Sequence, residues 1–498
     1  MKKFRNLGLI IGLTSALLAS TTYTGVAADK TQDIWYVNGQ KTLQQKLAQQ
    51  VNTNQAKNVI VFVADGNGVN SNAALRIYDG QKKGMSGEDN VLSYEALPNL
   101  ALVKTYNTDA QTPDSAGTMS AIVTGVKTKQ GVLSIDDSAG RGDCKAALGA
   151  AVTTFAELAE DAGMSTGIVS TARITHATPA AVYAHSADRN WEDDSSVAEG
   201  CEDIASQLLS FAHGDGIDVV FGGGRRHFIT KQTVDGEGKN GKRTDGRDLT
   251  AEWTSKSNNH QYVWNQAGFD KIDLASTPKV LGLFNSSHME YEADRANDKG
   301  GEPSLAEMTT KAIDLLSQNE NGYFLAIESG RVDHAHHAGN AARALEDGAA
   351  FNRAVAAALA KVDLSDTLVI VTADHAHTLT LSGYAKLGNP ILGLSLGKDG
   401  TPNLAKDGKP YTVLNYTNGP GGVFNEDGTV ATREDLTNVD TTHLDYIQQA
   451  LIPLSSETHS GSDVAVYAAG PWSHLLNGTI EQNFIYHVID HATAMSDK

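Results

Sequence analysis

Short apolar runs alternate with alanine-rich stretches along most of this 498-residue chain. The clearest runs predict buried strands at residues 59–64, 166–170, 218–221, 323–328, 367–372 and 463–468. The stretches between them have helical composition, notably residues 150–162, 304–318 and 341–362. Strands that are apolar on both faces and alternate with helices are typical of parallel sheets covered on both sides. The pattern therefore predicts an α/β fold with a large, mostly parallel central sheet and helices on both faces.

Two polar segments interrupt this alternation. Residues 229–262 are rich in Lys, Asp, Gly and Asn, and we interpret them as a solvated surface excursion. Residues 383–456 contain many Gly, Pro and Asn with few helix signals. Because apolar runs continue on both sides of residues 383–456, we expect this segment to be an insertion within one domain rather than a linker between two.

The first 28 residues have the pattern of an export signal. Basic residues precede a mostly apolar stretch at residues 7–18, and small residues follow at 26–28. The apolar stretch is too short to span a bilayer comfortably, and no later segment is apolar enough to be a membrane helix. We therefore expect residues 29–498 to form one domain that is exported to the periplasm or beyond the cell and does not enter a membrane.

The formal net charge of −19 argues against bulk electrostatic binding of nucleic acid. Such a chain would also repel an anionic substrate, unless bound divalent cations reverse the field locally. The chain has two cysteines, Cys144 and Cys201. In an oxidising compartment a disulfide between them is the simplest interpretation, and two buried free thiols are the alternative.

Potential metal ligands adjoin several of the predicted strands. Glu328, Asp333 and His337 lie close together in sequence at the end of the apolar run 323–327. Further carboxylate and imidazole side chains adjoin other runs, namely Asp65, Asp374, His375 and His459. In open α/β sheets, ligands bind at the carboxyl ends of the strands. We therefore expect these side chains to converge at one edge of the sheet and to bind metal ions.

Ser115 lies in Thr-Pro-Asp-Ser-Ala-Gly-Thr at residues 112–118, where a turn leads into a predicted helix. A hydroxyl at a helix start lies near free backbone N–H groups, which attract phosphate and other anions. Taken alone, Ser115 fits an N-cap serine. A nearby metal would instead lower the pKa of its hydroxyl and make Ser115 a nucleophile.

Several motifs occur in order along the chain. They include Asp-Ser-Ala-Gly-Thr at 114–118, Glu-Ser-Gly-Arg-Val-Asp-His-Ala-His-His at 328–337, Val-Thr-Ala-Asp-His-Ala-His at 371–377 and Glu-Thr-His-Ser-Gly-Ser-Asp-Val-Ala-Val at 457–466. Together they resemble the alkaline phosphatases from about residue 30 to the end, close to the animal-type branch that also occurs in bacteria. With the export signal, the resemblance leads us to expect an exported bacterial member of that family.

The resemblance implies a phosphate monoesterase of broad specificity that works best at alkaline pH. It would act through a phosphoserine on Ser115 and release inorganic phosphate, with Arg189 holding the phosphoryl group. Two zinc ions and one magnesium are implied as cofactors. The first zinc would be bound by Asp333, His337 and His459, the second by Asp65, Asp374 and His375 with the Ser115 oxygen, and the magnesium by Asp65, Glu328 and Thr178.

Other histidines are assigned by the same resemblance. His176 and His334 match positions where the animal-type branch carries histidine. We expect these two, His377 and His336 to support the ligands rather than bind metal. The remaining histidines, among them His288, are interpreted as structural.

Residues 383–456 resemble the crown of animal-type enzymes, where paired crowns contribute to a dimer, so we expect a homodimer. Two other functions stay open at this point. One is hydrolysis of diesters or sulfate esters on a related scaffold, although the Cys/Ser-x-Pro-x-Arg frame of sulfatases is absent around Ser115 and both cysteines. The other is storage of metal or phosphate without catalysis, which would not require a nucleophile.

Overall fold

The computed structural model describes residues 29–276, 279–423, 429 and 431–497. The predicted export signal at residues 1–28 therefore lies outside the described residues. In the described part, no helix is both long enough and apolar enough to cross a membrane. The chain forms two compact units, one ending at Gln50 and the other beginning at Val51. The first contains helix α1 (Ile34–Leu47), which begins after Asp33 because that side chain accepts hydrogen bonds from the first free backbone N–H groups.

The second unit contains all the strands of the described chain. They are β1 (Asn58–Ala64), β2 (Asn99–Lys104), β3 (Ser165–Arg173), β4 (Val219–Gly223), β5 (His260–Val263), β6 (Lys279–Leu283), β7 (Tyr323–Ser329), β8 (Thr367–Thr372), β9 (Ala376–His377), β10 (Leu379–Leu381), β11 (Leu414–Gly419), β12 (Ala450–Pro453), β13 (His459–Ser460), β14 (Val464–Ala469) and β15 (Gly478–Glu481).

Helices fill most connections between the strands. They are α2 (Val69–Lys82), α3 (Ser115–Thr124), α4 (Cys144–Ala147), α5 (Phe155–Asp161), α6 (Ala177–Ala180), α7 (Ile204–Ser210), α8 (Leu249–Ser255), α9 (Gln266–Asp270), α10 (Leu305–Leu316), α11 (Arg331–His337), α12 (Ala341–Leu359) and α13 (Phe484–Thr493). Short 3₁₀ turns lie at Lys30–Gln32, Arg225–His227, Leu274–Ser276, Arg295–Asn297, Leu436–Asn438, Ser473–Leu475 and Met495–Asp497. The predicted helices at 304–318 and 341–362 correspond to α10 and α12.

Ten strands form one sheet in the order β15-β2-β14-β8-β1-β7-β3-β4-β6-β5. Every neighbouring pair is parallel except those that include β14, which runs antiparallel to β2 and to β8. The predicted mostly parallel sheet is therefore confirmed. Because β14 is reversed, its first residue lies at the edge where the parallel strands end.

The core lies on both faces of this sheet. Alternate residues of β1 starting at Val59 belong to one buried apolar cluster, and those starting at Ile60 belong to the other. This period of two follows from the strand geometry, which points successive side chains to opposite faces. Residues of α3, α5 and α13 join the first cluster, and residues of α2, α10 and α12 join the second. The prediction of helices on both faces is thus confirmed.

The polar stretch at residues 229–262 is not a solvated excursion throughout, so that interpretation is wrong for its second half. It contains α8 and β5, and β5 is an edge strand of the main sheet. Arg243 and Trp253 are among the most deeply buried large side chains. Nη1 of Arg243 lies 2.9 Å from Oδ1 of Asp203, so the buried charge has a partner. Polar composition failed as a signal because these charges neutralise one another inside the protein.

A disulfide joins Cys144 to Cys201 across 57 residues of chain, which confirms the bridge over the free-thiol alternative. Cys144 starts α4, and both cysteines pack in a small apolar cluster with Trp191 and Val132. The predicted insertion at residues 383–456 contains β11 and β12, which form a three-stranded sheet with β10. Its identity as a crown stays a prediction.

Candidate active site

The predicted metal ligands lie together at the edge where the parallel strands end. Asp65 directly follows β1, Glu328 is the penultimate residue of β7, and Asp374 comes two residues after β8. These three strands are neighbours in the sheet. His459 reaches the same edge because it precedes the reversed strand β14, and β13 pairs with β9 so that His459 lies opposite His377.

A first group surrounds Asp333 in α11. Nε2 of His337 lies 3.4 Å from Oδ1 of Asp333, and Nε2 of His459 lies 3.3 Å from the same oxygen. The two Nε2 atoms are 3.1 Å apart. His377 belongs to this group as well, since its Nε2 is 2.8 Å from the same carboxylate oxygen. Its Nδ1 contacts Glu457, a partner that fixes the orientation of the ring.

The electrostatics of this group favour an ionised Asp333. Burial alone would raise the pKa of this carboxyl, but the charge of His337 and the hydrogen bonds from His377 and His459 hold it well below its usual range. Burial alone would lower the pKa of His377. Its contacts with Asp333 and Glu457 outweigh burial and raise that pKa to about 9.

A second group consists of Asp65, Asp374 and His375, all fully buried. Nε2 of His375 lies 3.3 Å from Oδ1 of Asp65 and 3.4 Å from Oδ2 of Asp374. Asp374 is held in place because it accepts hydrogen bonds of 3.1 Å from the backbone N–H of Gly66 and from the hydroxyl of Thr118. The two carboxylates and the imidazole therefore converge on one point, as the sequence predicts.

A third group offers mostly oxygen atoms, and a ring nitrogen of His176 lies within reach of its two carboxylates. Both carboxylate oxygens of Asp65, Oε1 of Glu328 and Oγ1 of Thr178 are buried and have no hydrogen-bond partner among the described residues. The other carboxylate oxygen of Glu328 accepts from the hydroxyl of Ser170. A buried acceptor without a partner costs on the order of a few kcal/mol. These orphaned oxygens therefore fit a bound cation.

Like charges reinforce this conclusion. Burial and the negative charge of Asp374 raise the pKa of Asp65 well above its usual range, and burial raises the pKa of Glu328 to about 7. Divalent cations would remove this conflict by neutralising the carboxylates. Imidazole and carboxylate in the first two groups suit zinc, and the third group, in which oxygen atoms predominate, suits magnesium. The side chains therefore fit the metals that the resemblance implies.

Ser115 is the first residue of α3 and lies next to the second group. Its Oγ is 3.1 Å from Nε2 of His375. The N-cap of α3 is Asp114, whose carboxylate accepts a hydrogen bond of 3.2 Å from the backbone N–H of Gly117. The interpretation of Ser115 as an N-cap serine is therefore wrong, because its neighbour performs that role. The serine hydroxyl instead faces the ligand groups.

Comparisons with known proteins agree with this geometry. The sequence matches the profile of the alkaline phosphatase family over residues 56–495. The tissue-nonspecific alkaline phosphatase of Mus musculus is 42% identical over 475 residues, covering 93% of this chain and 88% of that protein. The membrane-bound alkaline phosphatase of Bombyx mori is 39% identical over 489 residues, covering 95% and 87%. The chain belongs to the alkaline phosphatase family.

The solved structure of the Thermus thermophilus alkaline phosphatase shares the fold, with a TM-score of 0.65 at 25% identity over 90% of this chain and 93% of that one. Membership makes this chain a phosphomonoester hydrolase that acts on phosphate monoesters. Its clusters of histidine and aspartate are the metal-binding groups that such an enzyme requires.

Arg189 of this phosphatase is held between two partners close to α3. Its Nη1 lies 3.1 Å from Oδ2 of Asp114, and its Nη2 lies 3.2 Å from Nε2 of His176. Asp114 thus caps the helix that carries Ser115 and also orients the arginine. Asp114 was not predicted as a functional residue from the sequence, although its place directly before Ser115 was a usable signal.

Histidines other than the proposed ligands fall into two sets. His336 is buried, and its ring nitrogens lie 2.7 Å from the hydroxyl of Tyr416 and 3.1 Å from that of Ser71. Its ring stacks on His377 at 4.8 Å. The second set brings His176 and His334 together with His288, which was interpreted as structural and which no sequence signal placed here.

Proposed function

We propose that this phosphatase hydrolyses its substrates through a phosphoserine on Ser115, with Arg189 holding the transferred phosphoryl group. The observation that carries the proposal is the position of the Ser115 hydroxyl, 3.1 Å from Nε2 of His375 and beside the carboxylates of the second group. A protein that only stores metal or phosphate would not need a serine hydroxyl at this position. The free backbone N–H groups at the start of α3 add positive potential for the phosphoryl oxygens.

We also propose two zinc ions and one magnesium as the resident cofactors. Asp333, His337 and His459 would hold the first zinc, and Asp65, Asp374 and His375 the second. Asp65, Glu328 and Thr178 would hold the magnesium. When bound, these cations supply the positive charge that favours the ionised serine and the departing ester oxygen.

The side chains of the chain itself would act in two stages. In the first, Oγ of Ser115 bonds to phosphorus while the bond from phosphorus to the ester oxygen breaks, and the alcohol leaves. In the second, water bonds to phosphorus, the bond to Oγ breaks, and inorganic phosphate is released. Arg189 binds two phosphoryl oxygens throughout, because the planar guanidinium offers paired donors. Asp114 keeps that guanidinium directed at the helix start.

Export, the crown and a homodimer complete the proposal. The disulfide supports an oxidising compartment, periplasmic or extracellular, since disulfides are rare where thiols are kept reduced. We also propose that residues 1–28 are removed on export and that the protein comes from a bacterium. The crown-like insertion at residues 383–456 supports pairing of two copies. Sedimentation of the active protein as a stable monomer would overturn the dimer.

The testing experiment is hydrolysis of a chromogenic phosphate monoester at alkaline pH, beside a diester and a sulfate ester. Activity should be confined largely to the monoester, disappear on chelation and return with zinc and magnesium together. Ser115→Ala should lower turnover by roughly a thousandfold or more while metal content, measured by mass spectrometry, stays near that of the wild type. Full activity of this variant would refute the nucleophile, and dominant diester or sulfate turnover would refute the substrate.

A further inference from the structure

The carboxylate of Asp114 is divided between two tasks. Its Oδ2 accepts hydrogen bonds from Nη1 of Arg189 at 3.1 Å and from the backbone N–H of Gly131 at 2.9 Å. Its Oδ1 accepts from the backbone N–H of Gly117 at 3.2 Å and from Nδ2 of Asn107 at 3.4 Å. One oxygen therefore serves the arginine that we assign to the phosphoryl group, and the other serves the start of α3.

This division limits how tightly Asp114 holds Arg189. A guanidinium and a carboxylate commonly form two parallel hydrogen bonds, which use both carboxylate oxygens. In the described structure Arg189 makes one hydrogen bond to Asp114, because Oδ1 is turned towards α3. The donors that a two-bond pair would occupy are thereby left for a ligand. The affinity of Arg189 for phosphate therefore depends on what keeps Oδ1 at the helix.

Asn107 contacts Asp114 at two points. Its Oδ1 accepts a hydrogen bond of 3.2 Å from the backbone N–H of Asp114, while its Nδ2 donates to the carboxylate. These partners determine which way the amide is turned, since the N–H requires the oxygen and the carboxylate requires the nitrogen. An N-cap carboxylate needs only one of its oxygens for the helix, and either would serve. The second donor, from Asn107, therefore selects Oδ1 and fixes the rotation of the carboxylate.

Asn107 is itself held firmly. It is 4% exposed, and its backbone closes a turn with Ala110 through hydrogen bonds of 3.1 and 3.3 Å in the two directions. The next residue, Thr108, donates to the backbone oxygen of Thr128 at 3.0 Å. The amide of Asn107 also packs so closely on α3 that a Cβ at Gly117 would overlap with Nδ2. The glycine of Asp-Ser-Ala-Gly-Thr is therefore explained by its contact with Asn107.

We propose that Asn107 is a positioning residue that sets the affinity of the enzyme for phosphate. By keeping Oδ1 of Asp114 at the start of α3, it prevents a two-bond pair between Asp114 and Arg189, which would compete with the phosphoryl oxygens. The side chain of Asn107 has its hydrogen bonds with Asp114, so its effect passes through that carboxylate to Arg189. This inference rests on the proposed function, because Arg189 must hold the phosphoryl group that reacts.

The alternative is that Asn107 only stabilises the turn and the start of α3. Its removal would then lower the free energy of unfolding without a selective effect on phosphate. Asn90 provides a matched comparison, because it is also buried and its Nδ2 lies 2.8 Å from Oδ2 of Asp79. That carboxylate is likewise paired with a cation, Lys83. The two asparagines therefore differ in the cation that their carboxylate partner holds.

The test measures inhibition by inorganic phosphate, together with kcat and KM for a chromogenic monoester, in the zinc- and magnesium-loaded enzyme. Asn107→Ala should weaken phosphate inhibition and raise KM by about tenfold each, the size expected for a hydrogen bond to a charged group. The value of kcat should fall by less than about threefold, because the proposed nucleophile is untouched. In the Arg189→Gln background the same substitution should change phosphate inhibition by less than about twofold, because no guanidinium remains to be captured.

Gly117→Ala perturbs the same contact from the helix, since the new Cβ would displace the amide of Asn107. It should also weaken phosphate inhibition, and combining it with Asn107→Ala should add little. Asn90→Ala should lower Tm and leave phosphate inhibition unchanged.

Unchanged phosphate inhibition in Asn107→Ala, or in Gly117→Ala where the first variant does not fold, would overturn the inference. An equal loss in the Arg189→Gln background, or in Asn90→Ala, would also overturn it, because the effect would then not pass through the arginine. Unchanged phosphate inhibition in Arg189→Gln itself would overturn the proposed role of Arg189, and the inference with it.

Discussion

Glu328→Gln separates the effect of a buried negative charge from the effect of a bound metal. Glu328 is 2% exposed and lies at the end of β7, beside Asp65 and Asp374. Burial raises its pKa from 4.5 to about 7 in the folded, metal-free protein. Glutamine has nearly the same shape but no charge. We therefore expect this variant to be more stable than the wild type when metals are removed, and only at higher pH.

The sign and size of this stability difference follow from the linkage between proton binding and folding. Below about pH 4.5 the carboxyl is protonated in the folded and the unfolded chain, so charge contributes no difference. Between about pH 4.5 and 7 the folded state retains a proton that the unfolded chain has released, so wild-type stability falls as pH rises. The full difference is about 3 kcal/mol, because each pKa unit corresponds to about 1.4 kcal/mol. For a unit of this length that amounts to about 3 °C in Tm.

The assay is thermal unfolding of chelated protein from pH 5 to pH 9, with Glu346→Gln as the control. Hydrogen bonds from Lys82 and Tyr78 overcome burial and lower the pKa of Glu346. Its replacement should therefore destabilise the protein by an amount that is already complete at pH 5 and stays constant up to pH 9. With magnesium restored, Glu328→Gln should lose its advantage. A Tm difference for Glu328→Gln that does not change with pH would refute the reasoning.

Three further predictions concern single side chains. Arg189→Lys should lower kcat/KM for monoesters by roughly 10- to 100-fold and weaken inhibition by inorganic phosphate, because paired donors are lost; unchanged phosphate inhibition would contradict it. Cys201→Ser should destabilise the protein by about 4 kcal/mol through the 57-residue loop, which thermal unfolding with and without reductant would measure. Tyr416→Phe should weaken zinc retention against a chelator, because it leaves Nδ1 of buried His336 unpaired; equal retention would contradict it.

The sequence was sufficient to predict the centre of the sheet and the convergence of the proposed ligands at its edge. β1, β7 and β8 are continuous apolar runs that are buried on both faces, and each is followed or ended by a carboxylate. In such strands the ligand position is dictated by the topology, since parallel strands all end at one edge. The edge strands β5 and β15, and β2 next to β15, were not predicted. Their exposed or half-buried faces interrupt the apolar pattern.

The cluster of His176, His288 and His334 could not be predicted from the sequence, for a different reason. His176 and His334 adjoin ligand motifs, whereas His288 follows β6 on a loop with no motif, and only the packing of that loop against β3 brings it to the site. Contact between such distant segments leaves no periodic signal.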